Sequence, residues 1–85
     1  MKEYTYPIIF IFNKETNMYN GYIHDLSIFA EGKTVEYALA EAGELFSKYI
    51  ELCVKYNVDM PKPSTFEATS EKWKGYEISS VTVKV

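Results

Sequence analysis

The hydrophobic period of this chain changes once, near Thr34, and that change limits the fold more than any other feature. Upstream, "YTYPIIFIFN" places Tyr4, Tyr6, Ile8, Phe10 and Phe12 on one side and Thr5, Pro7, Ile9 and Ile11 on the other. Successive side chains of an extended chain point to opposite faces, so period two in β-branched and aromatic residues predicts a strand. From Thr34 to Tyr56 the apolar positions are Val35, Ala38, Leu39, Ala42, Leu45, Phe46, Tyr49, Ile50, Cys53 and Tyr56. That i, i+3, i+4, i+7 spacing predicts an amphipathic helix of about six turns.

The flanking segments complete the pattern. "NKETN" (13–17) is a polar turn, "MYNGYIH" (18–24) returns as a second strand, and "LSIFAEG" (26–32) is a short third. Pro7 has no N–H, which suits a sheet edge or a strand start. Gly21 inside its strand points to a bulge or a close backbone approach, and Gly32 is read as a positive-φ strand end. Thr34 is a suitable N-cap, and Glu36 sits in the first turn, where the helix dipole favours an anion. Glu44–Lys48 and Glu51–Lys55 are spaced as i,i+4 pairs. Gly43 costs about 1 kcal/mol against Ala in a helix, which suggests that something packs closely there. Asn57 is a plausible left-handed stop, and Pro61 and Pro63 hold "VDMPKPS" extended. Residues 65–75 are the least readable, with Ser70 as a possible cap for one turn carrying Trp73. "YEISSVTVKV" (76–85) is a last strand, with Ser79, Val81, Val83 and Val85 on one face. The order β-β-β-α-β predicts an α+β fold: a mainly antiparallel sheet with one long helix packed on one face. The last strand should lie beside the first, parallel to it through a right-handed crossover.

Eighty-five residues make one small domain with a modest core. Fourteen aromatics (eight Tyr, five Phe, one Trp) are many to bury in it. Tyr and Trp left partly exposed are typical of interfaces. Tyr19, Tyr22, Phe29, Tyr37, Tyr56 and Trp73 are therefore candidates for a partner or oligomer surface. Nine lysines, no arginine and twelve acids give a net charge of −3. Nucleic-acid binders rely on Arg forks and a basic patch, so a basic protein partner is the better expectation. The run Pro7–Phe12 is too short and too β-branched for a signal peptide or a membrane span, so the protein is expected in the cytoplasm.

Catalytic constellations are sparse. His24 is the only histidine and stands beside Asp25. On a strand these two point apart, so the pair reads as a strand end, with Asp25 making a turn hydrogen bond, and not as a catalytic dyad. Asp25, Glu41 and Glu44 could in principle converge to hold Mg²⁺ as a remnant nuclease, although the helix face of both glutamates is the polar one. Cys53, the only cysteine, lies on the apolar stripe and reads as a core residue. No cofactor and no catalytic or metal-binding residue is assigned.

The order of short motifs resembles the HicB antitoxin family. The matching positions are Tyr6-Pro7, Gly21-Tyr22, Asp25-Leu26, Gly32, Thr34, Ala38-Leu39, Ala42, Pro61, Pro63 and Ser64, with the valine strand 81–85 as the last element. The usual Pro before Asp-Leu is His24 here, and Ser27-Ile28-Phe29 replaces the small turn that follows. The resemblance implies a partial ribonuclease-H-like fold without nuclease activity. It also implies a protein-binding role: neutralising a small basic HicA-type toxin that cleaves messenger RNA, as a dimer or larger oligomer. Many members carry a DNA-binding segment after the last strand. None follows Val85 in this sequence, so no DNA binding is expected of it. The alternative is an orphan domain that binds a small ligand or a nucleic acid through its sheet face.

Overall fold

The computed structural model describes residues 2–84, which leaves Val85 of the last predicted strand outside the described residues. The elements are β1 (Glu3–Asn13), β2 (Met18–Ile23), a single 3₁₀ turn (His24–Leu26), β3 (Ile28–Gly32), α1 (Val35–Lys55), α2 (Phe66–Lys72) and β4 (Glu77–Lys84). The sheet runs β3-β2-β1-β4, and all three neighbouring pairs are antiparallel.

The β1–β2 hairpin forms where the sequence predicts it. Asn13 Oδ1 accepts from the N–H of Glu15 (2.9 Å), and Asn17 turns the corner with φ 59°. The even face of β1 is the core side. Tyr6, Ile8 and Phe10 are buried with Ile23, Ala30 and Val81 against Ala38, Ala42, Phe46 and Ile50 of α1. Phe46 and Tyr6 meet edge to face at 5.3 Å. Thr34 caps α1, its hydroxyl accepting from Tyr37 N–H at 3.2 Å. Asn57, at φ 55°, takes the left-handed conformation expected after the helix.

Gly32 lets α1 approach the sheet, and Gly21 leaves room for the core side chains beneath the helix. A Cβ at Gly32 would lie 2.4 Å from Ala38 N and 2.7 Å from Tyr37 C, so the first turn of α1 rests directly on the end of β3. Gly32 is therefore required by contact and not, as the sequence suggested, by a positive φ, which it does not have. Gly21 continues the ladder without a bulge, and its missing Cβ would meet Ile8 Cδ1 at 3.1 Å. The expectation for Gly43 is overturned, because a Cβ there meets nothing within 4 Å. The spacing of Glu44–Lys48 and Glu51–Lys55 does not bring either pair together; among the described residues, the ion pair that forms is Lys84 with Glu3, at 3.9 Å.

Pro7 is not in an edge strand, because β1 lies between β2 and β4. The β1–β2 ladder begins only at Ile9–Tyr22, however, so β1 has no β2 partner at Pro7 and is locally an edge. The predicted parallel pairing of β4 is also corrected. From Tyr56 the chain rounds the Tyr4 end of the sheet, where Tyr6 Oη donates to the carbonyl of Pro61. It then climbs the second face through α2. β4 consequently starts level with Phe10 and runs back to Glu3, antiparallel to β1. The least readable segment is thus the one that sets the direction of the last strand. Its cap is Thr65, whose hydroxyl accepts from Ala68 N–H at 3.0 Å, and not Ser70.

Candidate protein-binding face

The odd positions of β1, with Asn20 and Tyr22 of β2 and Phe29 and Glu31 of β3, form the second face of the sheet, away from α1. α2 covers part of it. Pro7, Ile9, His24, Asp25, Ser64, Ala68, Thr69, Lys72 and Trp73 enclose a cavity of about 180 Å³, and Ile9 is fully buried. Beyond α2 the face is open. Tyr22 and Phe29 are cross-strand partners whose rings stack at 4.2 Å, tilted by 17°. Trp73 stands edge-on to Tyr22 at 6.0 Å and to Tyr76 at 6.0 Å. Phe29 remains 63% exposed and Tyr76 48%, although each has aromatic neighbours.

Of the six aromatic candidates, this face unites Tyr22, Phe29 and Trp73. Tyr19 points to the α1 side, half-buried against the core and edge-on to Phe12 at 5.1 Å. Tyr37 lines a separate open groove of about 720 Å³ with Glu31, Glu41, Glu44, Leu45 and Lys48. Tyr56 caps the far end of α1, with Lys55 Nζ 5.5 Å from its ring centre. Tyr76 belongs to the aromatic group and was not singled out from sequence; its place beside Trp73 after a turn was the available signal.

His24 and Asp25 are not on a strand. They sit in the 3₁₀ turn and face different partners. The Asp25 carboxylate accepts from the N–H of Ser64 (2.8 Å) and from its hydroxyl (2.7 Å), a long-range tie in place of the expected turn bond. His24 Nδ1 meets the Tyr22 hydroxyl at 3.1 Å, and its Nε2 meets Lys72 Nζ at 3.0 Å. Ser, His, Asp and Lys thus surround one small cavity without the wiring of a nucleophile, since the Ser64 hydroxyl is directed at the carboxylate and not at the imidazole. Asp25 does not converge with Glu41 and Glu44, which line the other groove, and no group of three or more potential metal ligands occurs among the described residues. Cys53 is buried, as its place on the apolar stripe requires. Burial raises the ionisation of the Tyr6 phenol above the usual tyrosine range, with smaller contributions from Tyr49 and Asp25.

The residues that carry the family resemblance largely touch one another. Gly32 and Thr34 seat the first turn of α1 at Tyr37 and Ala38, Gly21 packs on Ile8, Leu26 is buried in the core, and Asp25 holds Ser64 beside Pro7. Pro61 receives the Tyr6 hydroxyl, while Pro63 is exposed on the strap between these two ties. No helix among the described residues is long and apolar enough to cross a membrane.

No protein-family model matches the sequence, and no curated protein matches it significantly. Solved structures do match in three dimensions. The N-terminal domain of the Burkholderia pseudomallei antitoxin HicB superposes with a TM-score of 0.82 at 19% identity, over 96% of this chain and 100% of that one. The longer antitoxin HicB of the same organism gives 0.80 at 20% identity, over 100% of this chain and 65% of that one. A chain of the HicA3 and HicB3 toxin-antitoxin complex gives 0.64 at 22% identity, over 92% and 95%. The fold, a four-stranded antiparallel sheet with one long helix, is that of the HicB N-terminal domain, as the resemblance implied.

Proposed function

We propose that this domain is a HicB-like antitoxin-type module, which acts by binding a protein and not by catalysis. The observation that carries the reading is the full-length superposition on the HicB N-terminal domain, together with a chain match in a structure of a toxin-antitoxin complex. The partner it fits is a small, basic, RNA-cleaving toxin of the HicA type in the cytoplasm. A net charge of −3 favours encounter with a basic protein. The open second face supplies what a stable contact needs: the stacked Tyr22–Phe29 pair and Tyr76 as apolar anchors, with Glu31 at the rim. Tyr37 and Tyr56, exposed elsewhere, are candidates for contacts between copies in a homo-oligomer.

The test is recovery of tagged protein from its own cells, followed by an RNA-cleavage assay on whatever binds it stoichiometrically. The expected result is a small basic protein that degrades messenger RNA when separated and does not when the domain is restored. A companion without ribonuclease activity, or one that stays active in the complex, would contradict the proposal.

A further inference from the structure

We propose that His24 is a proton-operated latch that holds α2 on the second face of the sheet. A lysine ammonium carries three donors and no acceptor. The Nε2 atom that Lys72 Nζ meets at 3.0 Å must therefore present its lone pair. That makes the ring the neutral Nδ1–H tautomer, and Nδ1–H then donates to the Tyr22 hydroxyl at 3.1 Å. One neutral imidazole thus bridges β2 and the last turn of α2. The ring of Trp73, the residue that ends α2, packs edge-on against it at 5.7 Å.

Protonation of Nε2 removes the acceptor and leaves two cations where a hydrogen bond stood. The titratable side chains around the cavity are His24, Asp25 and Lys72, with Tyr22 on the other side of the ring. Asp25 is the one anion among them, and both of its oxygens are engaged by Ser64. α2 has only seven residues, too few to persist as a helix without docking. Its attachment therefore depends on Ala68, Thr69 and Trp73 at the cavity, on the Asp25–Ser64 tie just before it and, at its last turn, on the Lys72–His24 contact. Loosening it opens the cover over Pro7 and Ile9, next to the exposed Phe29 patch. Acid would change the size of the apolar second face, whatever partner the domain binds.

Trp73 and His24 are the only residues of their kinds in the chain, so the experiment needs no added label. Trp73 emission and local hydrogen exchange at residues 66–72 would be followed from about pH 8 to about pH 5, with exchange corrected for its intrinsic pH dependence. The expected result is a red shift of Trp73 emission with exchange in α2 roughly fivefold faster or more at the acid end, while α1 stays protected. His24→Gln, whose amide can still accept from Lys72 and donate to Tyr22, should abolish both responses. Lys72→Gln should flatten the exchange response, because it removes the second cation. A wild-type α2 whose protection does not change would overturn the latch. So would an equal exchange response in Lys72→Gln, and so would a fluorescence change alone, which is quenching of Trp73 by the neighbouring imidazolium.

Discussion

The Asp25 carboxylate accepts both the N–H and the hydroxyl of Ser64, thirty-nine residues further along the chain. It thereby ties the 3₁₀ turn after β2 to the strap that brings α2 onto the sheet. Two hydrogen bonds to one charged acceptor are stronger than neutral ones, though this site is partly exposed. Asp25→Ala is expected to cost about 1–2 kcal/mol, which for a domain of this size lowers Tm by roughly 4–16 °C. Ser64→Ala should cost less, because the backbone N–H still has its acceptor. Thermal unfolding followed by circular dichroism checks both, and an unchanged Tm for Asp25→Ala would show that the strap is held elsewhere.

Gly32 and Gly43 should respond oppositely to alanine. At Gly32 a Cβ lands 2.4 Å from the backbone N of Ala38, and backbone cannot move aside as a side-chain end can. The cost should reach about 3 kcal/mol or more, as the first turn of α1 is forced off β3. At Gly43 the Cβ meets open space inside a helix, so the substitution should stabilise by about 0.5–1 kcal/mol. Urea unfolding of the two variants reads the difference directly, and equal midpoints would contradict it.

Tyr6 makes stability sensitive to alkali. Its ionisation is raised chiefly by burial, and its hydroxyl donates to the carbonyl of Pro61. The folded state therefore favours the neutral phenol more than the unfolded chain does. That contribution is fully present below the unfolded tyrosine pKa of about 10 and is lost as pH rises through the higher folded value. Tyr49, raised by burial and by its contact with Cys53, acts in the same direction. Denaturation midpoints should fall above about pH 10, and Tyr6→Phe should be less stable at neutral pH but fall less steeply in alkali. A parallel decline in both proteins would remove Tyr6 from the explanation.

Phe29 separates binding from folding. Its ring is 63% exposed and contributes little to the core, so Phe29→Ala should change stability by no more than about 0.5–1 kcal/mol. If the second face is the partner surface, the same change should weaken the complex at least tenfold, as removal of an interface anchor does. Calorimetry with the purified partner reads this, with Tyr56→Ala as the comparison on a different surface. An unaltered affinity for Phe29→Ala would move the interface away from this face.

Local sequence alone determined the four strands and the long helix, where α1 starts and stops and which of its positions form the apolar stripe, and it divided β1 and β4 into two faces without deciding which of them meets α1. Periods of two and 3.6, the Thr34 cap and the left-handed Asn57 are properties of neighbouring residues, so they are legible without the fold. The direction of β4, the docking of α2, and the partners of Asp25 and His24 depend on residues dozens of positions apart. The same limit governed the glycines. Gly32 reads in sequence as a positive-φ strand end and Gly43 as a close-packing site, and only the packing shows that the first admits a helix backbone while the second faces open space. It governed the aromatics too: six were candidates by composition, and sheet register put Tyr22 and Phe29 in one stack while leaving Tyr19, Tyr37 and Tyr56 on other surfaces. A side chain's partner across a sheet is set by register and chain direction, and these are decided by the whole domain at once.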